Sequence, residues 1–437
     1  MHDFLPLTQR TLPVLAVLCL APLACAESGP DTGDAAVDIP LVAPTEEVFT
    51  AGALAGEDWE NFGTIAATIF DSEGNLHVVD EGARRVVVIG PDGNHVRTVG
   101  SQGEGPGEFS SPTAAAALDD GSLVVWDFSL PGAFEIFDGR GEFVRSVPVD
   151  LSRGGPGSML LPLPDGRLVS AGGPTFRTGA PGEEPEGDGE EEDHRRPIDL
   201  FSLDGSPKTV LYRAWNLPPT EADDEVAGSD EQGRTTVEMR FSRMRAFDPG
   251  LHVGVLSDGR VVVADSTAYE VKLIGPDGTV TGSVGRPIAP EAVTDAVMEA
   301  ERTRRREAFS ESEGGPRMRM VGPAGSIAMD EGFQQQMREM MLAQVESMVF
   351  AEEIPVIAEM AVDRQNRIWI ARTGAGGDGD GPTDILTSDG HYMGTLAADG
   401  LRIPDGFGPG GLMAYIESDE MDVQSVRVVR LLGLEPS

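Results

Sequence analysis

Cysteine is nearly missing from this chain of 437 residues: Cys19 and Cys25 are its only two, both within the first 26 positions. The remainder can therefore hold no disulfide, no thiolate metal site and no nucleophilic thiol. Positive charge is scarce as well, with 33 Lys and Arg against 73 Asp and Glu and a formal net charge of -40. Such a field repels phosphate backbones and anionic membrane surfaces, which argues against nucleic acid as a partner. The six histidines are dispersed, with no pair at helical metal-ligand spacing and no His-Glu-x-x-His motif. A Gly-x-Ser-x-Gly elbow is absent too, and the glycines at 100–107 lead into a strand where a phosphate loop needs a helix. The apolar stretch at 12–23 is too short and too interrupted by proline to span a bilayer permanently.

That stretch, preceded by Arg10, instead reads as an export signal covering residues 1–26. Ala24-Cys25-Ala26 satisfies a small-x-small cleavage pattern, while Leu23-Ala24-Cys25 resembles a bacterial lipobox, making Cys25 the candidate for lipidation. Residues 27–45, rich in Gly, Asp, Ala and Pro, read as a flexible tether. The expected location is the periplasm or cell envelope, with the membrane reached only through a lipid anchor.

What the chain has in abundance is turns. Glycine (55) and proline (32) are plentiful. Pairs of short glycine turns recur about every 46 residues. Asp71-Ser72-Glu73-Gly74 and Pro91-Asp92-Gly93 frame apolar runs at 76–79 and 86–89; Asp119-Asp120-Gly121 and Asp138-Gly139 frame runs at 123–126 and 134–137. A small sheet of this size cannot bury both faces alone and must stack on neighbours, which is the logic of a β-propeller blade. The turn register predicts an all-β, six-bladed propeller over residues 46–437 with four antiparallel strands per blade, the first four blades starting near 65, 113, 158 and 252 and the fifth following residue 354 with turns at 363–366 and 388–390. The sixth shows only two strands, at 412–416 and 426–432, so residues 47–54 are expected to supply its outer strand and close the ring.

Gly100, Gly103, Gly105, Gly107, Phe109 and Pro112 lead into the second blade, Asp80 ends one strand and Arg85 opens the next. In these residues the chain resembles the NHL-repeat family of propellers. Asp127 and Asp265 repeat the aspartate, whereas the fifth blade has Arg372 in its place. The resemblance implies the fold; related propellers include protein-binding and RNA-binding modules, lyases and metal-dependent lactonases.

In an antiparallel blade the first and third turns share one face of the disc, and the middle loop and blade-to-blade connections share the other. The long insertions all fall in the second class: an acidic loop at 173–196 that is expected to be disordered, residues 214–251, a helical insertion at 286–354 between blades 4 and 5, and residues 373–383. This face is the expected working surface. Arg240, Arg243 and Arg245 are candidate anion-binding residues on it, or else neutralise nearby carboxylates while packing as an extra strand. Met337, Met341, Val345 and Met348 form a helical stripe suited to packing against the disc. No cofactor is expected; Asp378, Asp380 and Asp384 are weak candidates for calcium or another divalent ion, set against a plain glycine loop because Pro382 takes an intervening ligand position. The reading favoured by these residues is a binding module for a protein, peptide or glycan, without catalytic residues. Its alternative is a lactonase- or lyase-type enzyme with a divalent ion at the channel mouth, where Asn61, Glu108, Asp150, His252 and Glu353 form no recognisable set.

Overall fold

The computed structural model describes residues 37–436 apart from 129–131, 174–193, 221, 230–235, 312–319, 323–324, 328–330 and 378, with backbone only for 222–229, 236–242, 309–311, 320–322, 325–327, 331–338 and 380. Four-residue and five-residue turns fold neighbouring strands back on each other, and six antiparallel sheets result. Blade 1 is Ile65–Phe70, Leu76–Asp80, Arg85–Ile89 and His95–Val99; blade 2 runs from Pro112–Ala117 to Phe143–Pro148. Blade 3 comprises Leu161–Pro162, Leu168–Ala171, Arg196–Phe201 and Thr209–Ala214, blade 4 runs from His252–Val255 to Val280–Gly285, and blade 5 from Ile357–Val362 to Tyr392–Leu396.

Blade 6 takes its first three strands from Gly406–Phe407, Leu412–Ser418 and Gln424–Leu431, and its fourth from Thr45–Ala51, which pairs antiparallel with Gln424–Leu431. The ring is thus sealed by opposite ends of the chain. Its inner strand, Gly406–Phe407, is two residues long and leaves almost no pattern in the sequence.

Stacking is apolar throughout. Six buried clusters correspond to the six blade-to-blade interfaces, as in the Val88, Val99, Phe109, Val125 and Phe137 cluster between blades 1 and 2 and the Tyr269, Val271, Met360 and Ile370 cluster between blades 4 and 5. Every residue of Leu76–Asp80 and Leu123–Asp127 is buried because both faces of these strands are covered, which explains their runs of valine.

Two features exceed the sequence expectation. The span assigned to a tether, residues 27–45, enters the ordered structure at its end: Pro40–Val42 lies parallel to the outer strand of blade 5, and Glu435–Pro436 adds beyond it. Leu41 is buried there, so an apolar contact, together with ion pairs described below, orders a segment whose composition is that of a linker. Gly394 makes the approach feasible, since its φ is +148° and a Cβ would sit 2.5 Å from the Leu41 Cγ.

The second is the insertion between blades 4 and 5. Helix α1 (Asp295–Glu311) and helix α2 (Glu331–Ser347) leave and return through a short stem in which Glu291 and Ala292 pair with Ile354 and Glu353. Val345 and Met348 of the expected stripe are buried, while Met337 lies outside the described side chains. They pack with Ala246, Phe247 and Phe350 in a cluster of their own rather than against a blade.

Candidate functional site

All long connections emerge on one face, as the alternation of strand directions requires, and the longest turn on the opposite face is 202–208. The ends of the second strands mark the long-connection face. Asp80, fully buried, accepts from the N–H groups of Gly63, Thr64 and Ala83 and from Arg85 Nε at 3.1 Å. Arg85 in turn donates to the carbonyls of Asp58, Trp59 and Asn61. Asp127 accepts from Ser110 and Ser111, and Asp265 from the Trp215 N–H and Lys272 Nζ. In blade 3 Ser170 does similar work, accepting from Gly157 N–H and donating to the Met159 carbonyl. Each carboxylate therefore satisfies backbone donors of a connecting segment that no ladder reaches. These aspartates are fasteners of the ring.

Blade 5 departs from this plan. Arg372 stands opposite Ile357, as Asp80 stands opposite Ile65 in blade 1. Its Nη2 donates to Asp38 Oδ2 at 2.6 Å, and its Nε lies 3.6 Å from Asp384 Oδ2. Asp384 is completely buried: Arg286 Nη1 and the Tyr269 hydroxyl donate to Oδ2 at 3.0 and 2.9 Å, and the Thr395 hydroxyl donates to Oδ1 at 2.5 Å. Arg286 also donates to Asp38 Oδ1 and to the Val37 carbonyl, and its guanidinium lies 3.9 Å from the Tyr392 ring centroid. Two arginines and two aspartates thus form a charge-balanced network, buried at Asp384 and Arg286 and open to solvent at Asp38.

Burial alone would raise the Asp38 carboxyl, but hydrogen bonds from Arg372 and Arg286 hold it below its usual value. Burial, then the neighbouring Asp384 charge, pushes the Tyr269 hydroxyl well above the ordinary tyrosine range, so it stays a neutral donor. Beside this network, between blades 4 and 5 and below the stem of the insertion, lies a pocket of about 170 Å³ lined by Ile288, Ile354, Pro355, Val356, Pro382, Arg372, Glu291 and neighbouring small residues.

The sequence-predicted residues are distributed differently. Asp384 belongs to the arginine network, its oxygens taken by Arg286, Tyr269 and Thr395; Asp378 and the Asp380 side chain lie outside the described residues. Among the described residues no three His, Cys, Asp or Glu side chains could hold one ion. Arg245 is paired with Asp248 at 3.2 Å and donates to the Pro218 carbonyl, and Arg245–Ala246 pairs parallel with Val349–Phe350. Arg243 is half-buried nearby, while Arg240 lies on Thr236–Ser242, of which only the backbone is described. Cys25 lies outside the described residues.

Of the channel-entry residues, Glu108 accepts from the Gly105 N–H, Asp150 caps a short 3-10 turn, Glu353 accepts from Thr267, and the Asn61 carbonyl serves Arg85. His252 Nε2 is buried without a hydrogen bond. Burial, reinforced by Arg196, pushes the imidazole down to about 4.

Arg286, Tyr269, Tyr392 and Thr395 went unseen in the sequence, because their partners lie as far as 248 residues away. The one legible signal was Arg372 standing where the repeat calls for aspartate.

The strand pairing and these fasteners define the protein as a six-bladed β-propeller. No protein-family profile and no curated protein matches the chain. Solved structures with a similar course include a DUF4221 family member from Bacteroides vulgatus, 8% identical, covering 92% of this chain and 100% of its own, with a TM-score of 0.47. A gluconolactonase from Xanthomonas campestris is 14% identical over 90% of this chain and 98% of its own, TM-score 0.38. Virginiamycin B lyase from Staphylococcus aureus is 10% identical over 90% and 100%, TM-score 0.36. Scores this low carry no argument about activity. Among the described residues no helix is long and apolar enough to cross a membrane.

Proposed function

We propose that this chain is an exported binding module, a propeller of the NHL-repeat type anchored to the cell envelope through Cys25, whose long-connection face recognises a protein, peptide or glycan. The observation that carries this reading is the asymmetry of the disc. One face consists of turns no longer than 202–208, whereas the other bears the insertions at 172–195, 215–251 and 286–356. A rigid ring that presents elaborated loops on one side is suited to recognition, because the scaffold bears the stability and the loops are free to vary. The NHL-type relation is supported by the contacts of Asp80 and Arg85 and by Asp127 and Asp265 at related positions. The enzyme alternative would require convergent metal-ligating donors at the channel mouth.

Photocrosslinking in cells tests the reading. With p-benzoylphenylalanine at Glu352, exposed beside the insertion, the chain forms discrete adducts; at Asp120, exposed on the short-turn face, it forms none. Adducts confined to Asp120, or equal at both positions, overturn the proposal.

A further inference from the structure

We propose that the pocket between blades 4 and 5 binds the carboxylate of a small aliphatic acid, or of an aliphatic residue at a peptide C-terminus, on Arg372, and that Asp38 occupies this guanidinium in cis until the ligand replaces it. Two independent observations converge. First, the pocket wall is apolar at Ile288, Ile354, Val356 and Pro382 and carries a single cation, Arg372. Its other ionisable group, Glu291, is committed to the Gly376 N–H at 3.0 Å. A volume of about 170 Å³ corresponds to roughly five or six water-sized volumes, enough for a branched acid about as large as a leucine side chain with its carboxylate.

Second, the carboxylate now on Arg372 is the displaceable one. Asp38 is 42% exposed and its carboxylate is held by the two arginines, whereas Asp384, the other anion nearby, is fully buried and tied by Tyr269 and Thr395. Arg372 donates a single hydrogen bond to Asp38, and its Nε has no hydrogen-bond partner. A guanidinium offers five donors in a fork that matches any carboxylate, so an incoming acid can take over the Asp38 position while its apolar body fills the pocket. Arg286 retains Asp384 throughout.

A carboxylate on the same chain competes at an effective concentration in the millimolar range, which masks the affinity for a free acid. Its removal exposes the site. The proposal shares its face with the binding reading above but needs no macromolecular partner, so its failure leaves that reading intact.

Isothermal titration of the exported full chain with 4-methylpentanoate and with N-acetyl-leucine, each beside its neutral amide, tests it. Asp38→Ala tightens binding of the acids at least about tenfold over wild type, leaves the amides unaffected, and loses the gain when Arg372→Gln is added. Asp38→Asn, which keeps the side-chain shape and removes the charge, serves as the second variant if alanine disturbs the fold. The acid that gains more identifies the source, free acid or chain terminus. Equal affinity in wild type and both Asp38 variants, amides binding as well as acids, or binding that survives Arg372→Gln overturns the proposal.

Discussion

Blade 1 and blade 5 end their second strands with opposite charges at the same register position, Asp80 facing Ile65 and Arg372 facing Ile357. In blade 1 the anion is satisfied within reach of its own turn, by three N–H groups and by Arg85 five residues away. In blade 5 the cation has no such local partners. It recruits Asp38 from a segment 334 residues distant and shares Asp384 with Arg286. The lesson is that a repeat position can be inverted only if the rest of the chain supplies the counter-charge, and that the inversion converts a corner closed by its own turn into one held by distant segments.

The largest expected effects come from emptying the two corners. Asp384→Ala removes the buried counter-charge of Arg286 and the acceptor of two hydroxyls, and Asp80→Ala removes the counter-charge of Arg85 and the acceptor of three amides; each should cost about 3–5 kcal/mol, the range for breaking a buried ion pair from one side. Urea denaturation of single and double variants separates the cases. Adding Asp38→Ala to Asp384→Ala should give a total that departs from the sum, because the residues share a network, whereas adding it to Asp80→Ala should be additive. Additivity in both would contradict the contrast.

Blade 4 supplies a pH-dependent effect of intermediate size. The His252 imidazole, at about 4 in the folded chain against an ordinary 6.5, binds its proton later than it does in the unfolded chain. Stability from this group is therefore complete above pH 6.5 and is lost as pH falls from 6.5 to 4, by about 3 kcal/mol in total. Subtracting the stability profile of His252→Gln from that of wild type should isolate this loss, and a flat difference would show that Arg196 and burial do not act on the ring as described.

Gly394 gives the smallest effect and the most local one. Gly394→Ala places a Cβ against Leu41 and the Ile39 carbonyl, at a cost of about 1–3 kcal/mol. Hydrogen exchange should quicken at residues 39–42 and stay unchanged in blade 1.

The blades were legible in the sequence because each carries its own turns: Asp71 to Gly74 and Pro91 to Gly93 announce two hairpins without any distant contact. Closure was legible as well, since an incomplete sixth blade demands a strand from elsewhere, though Thr45–Ala51 begins two residues before the expected 47. The order of residues 37–42 was hidden. This segment follows a stretch whose Gly, Asp and Pro content is that of a linker, and the partners that hold it, the outer strand of blade 5 with Arg286, Arg372 and Gly394, lie far away in sequence. The aspartates illustrate the same limit from the other side: Asp80 and Asp127 stood out by recurrence, yet recurrence alone did not say that they bind backbone amides. Asp384 looked like part of an oxygen-rich loop because its neighbours in sequence are acidic, whereas its neighbours in space are arginines.

Recognition by the insertion and stability from the ring are separable on this account, since the insertion packs on Ala246 and Phe247 of the neighbouring 215–251 connection rather than on a blade and its ends meet where Val293 N–H donates to the Glu352 carbonyl at 3.0 Å. Replacing residues 294–351 with a short Gly-Ser linker, then comparing thermal unfolding and Glu352 photocrosslinking with the intact chain, tests that claim most directly. The account predicts a melting temperature within about 5 °C of the intact protein together with loss of the adducts. A ring that no longer unfolds cooperatively, or adducts that persist unchanged, would contradict it.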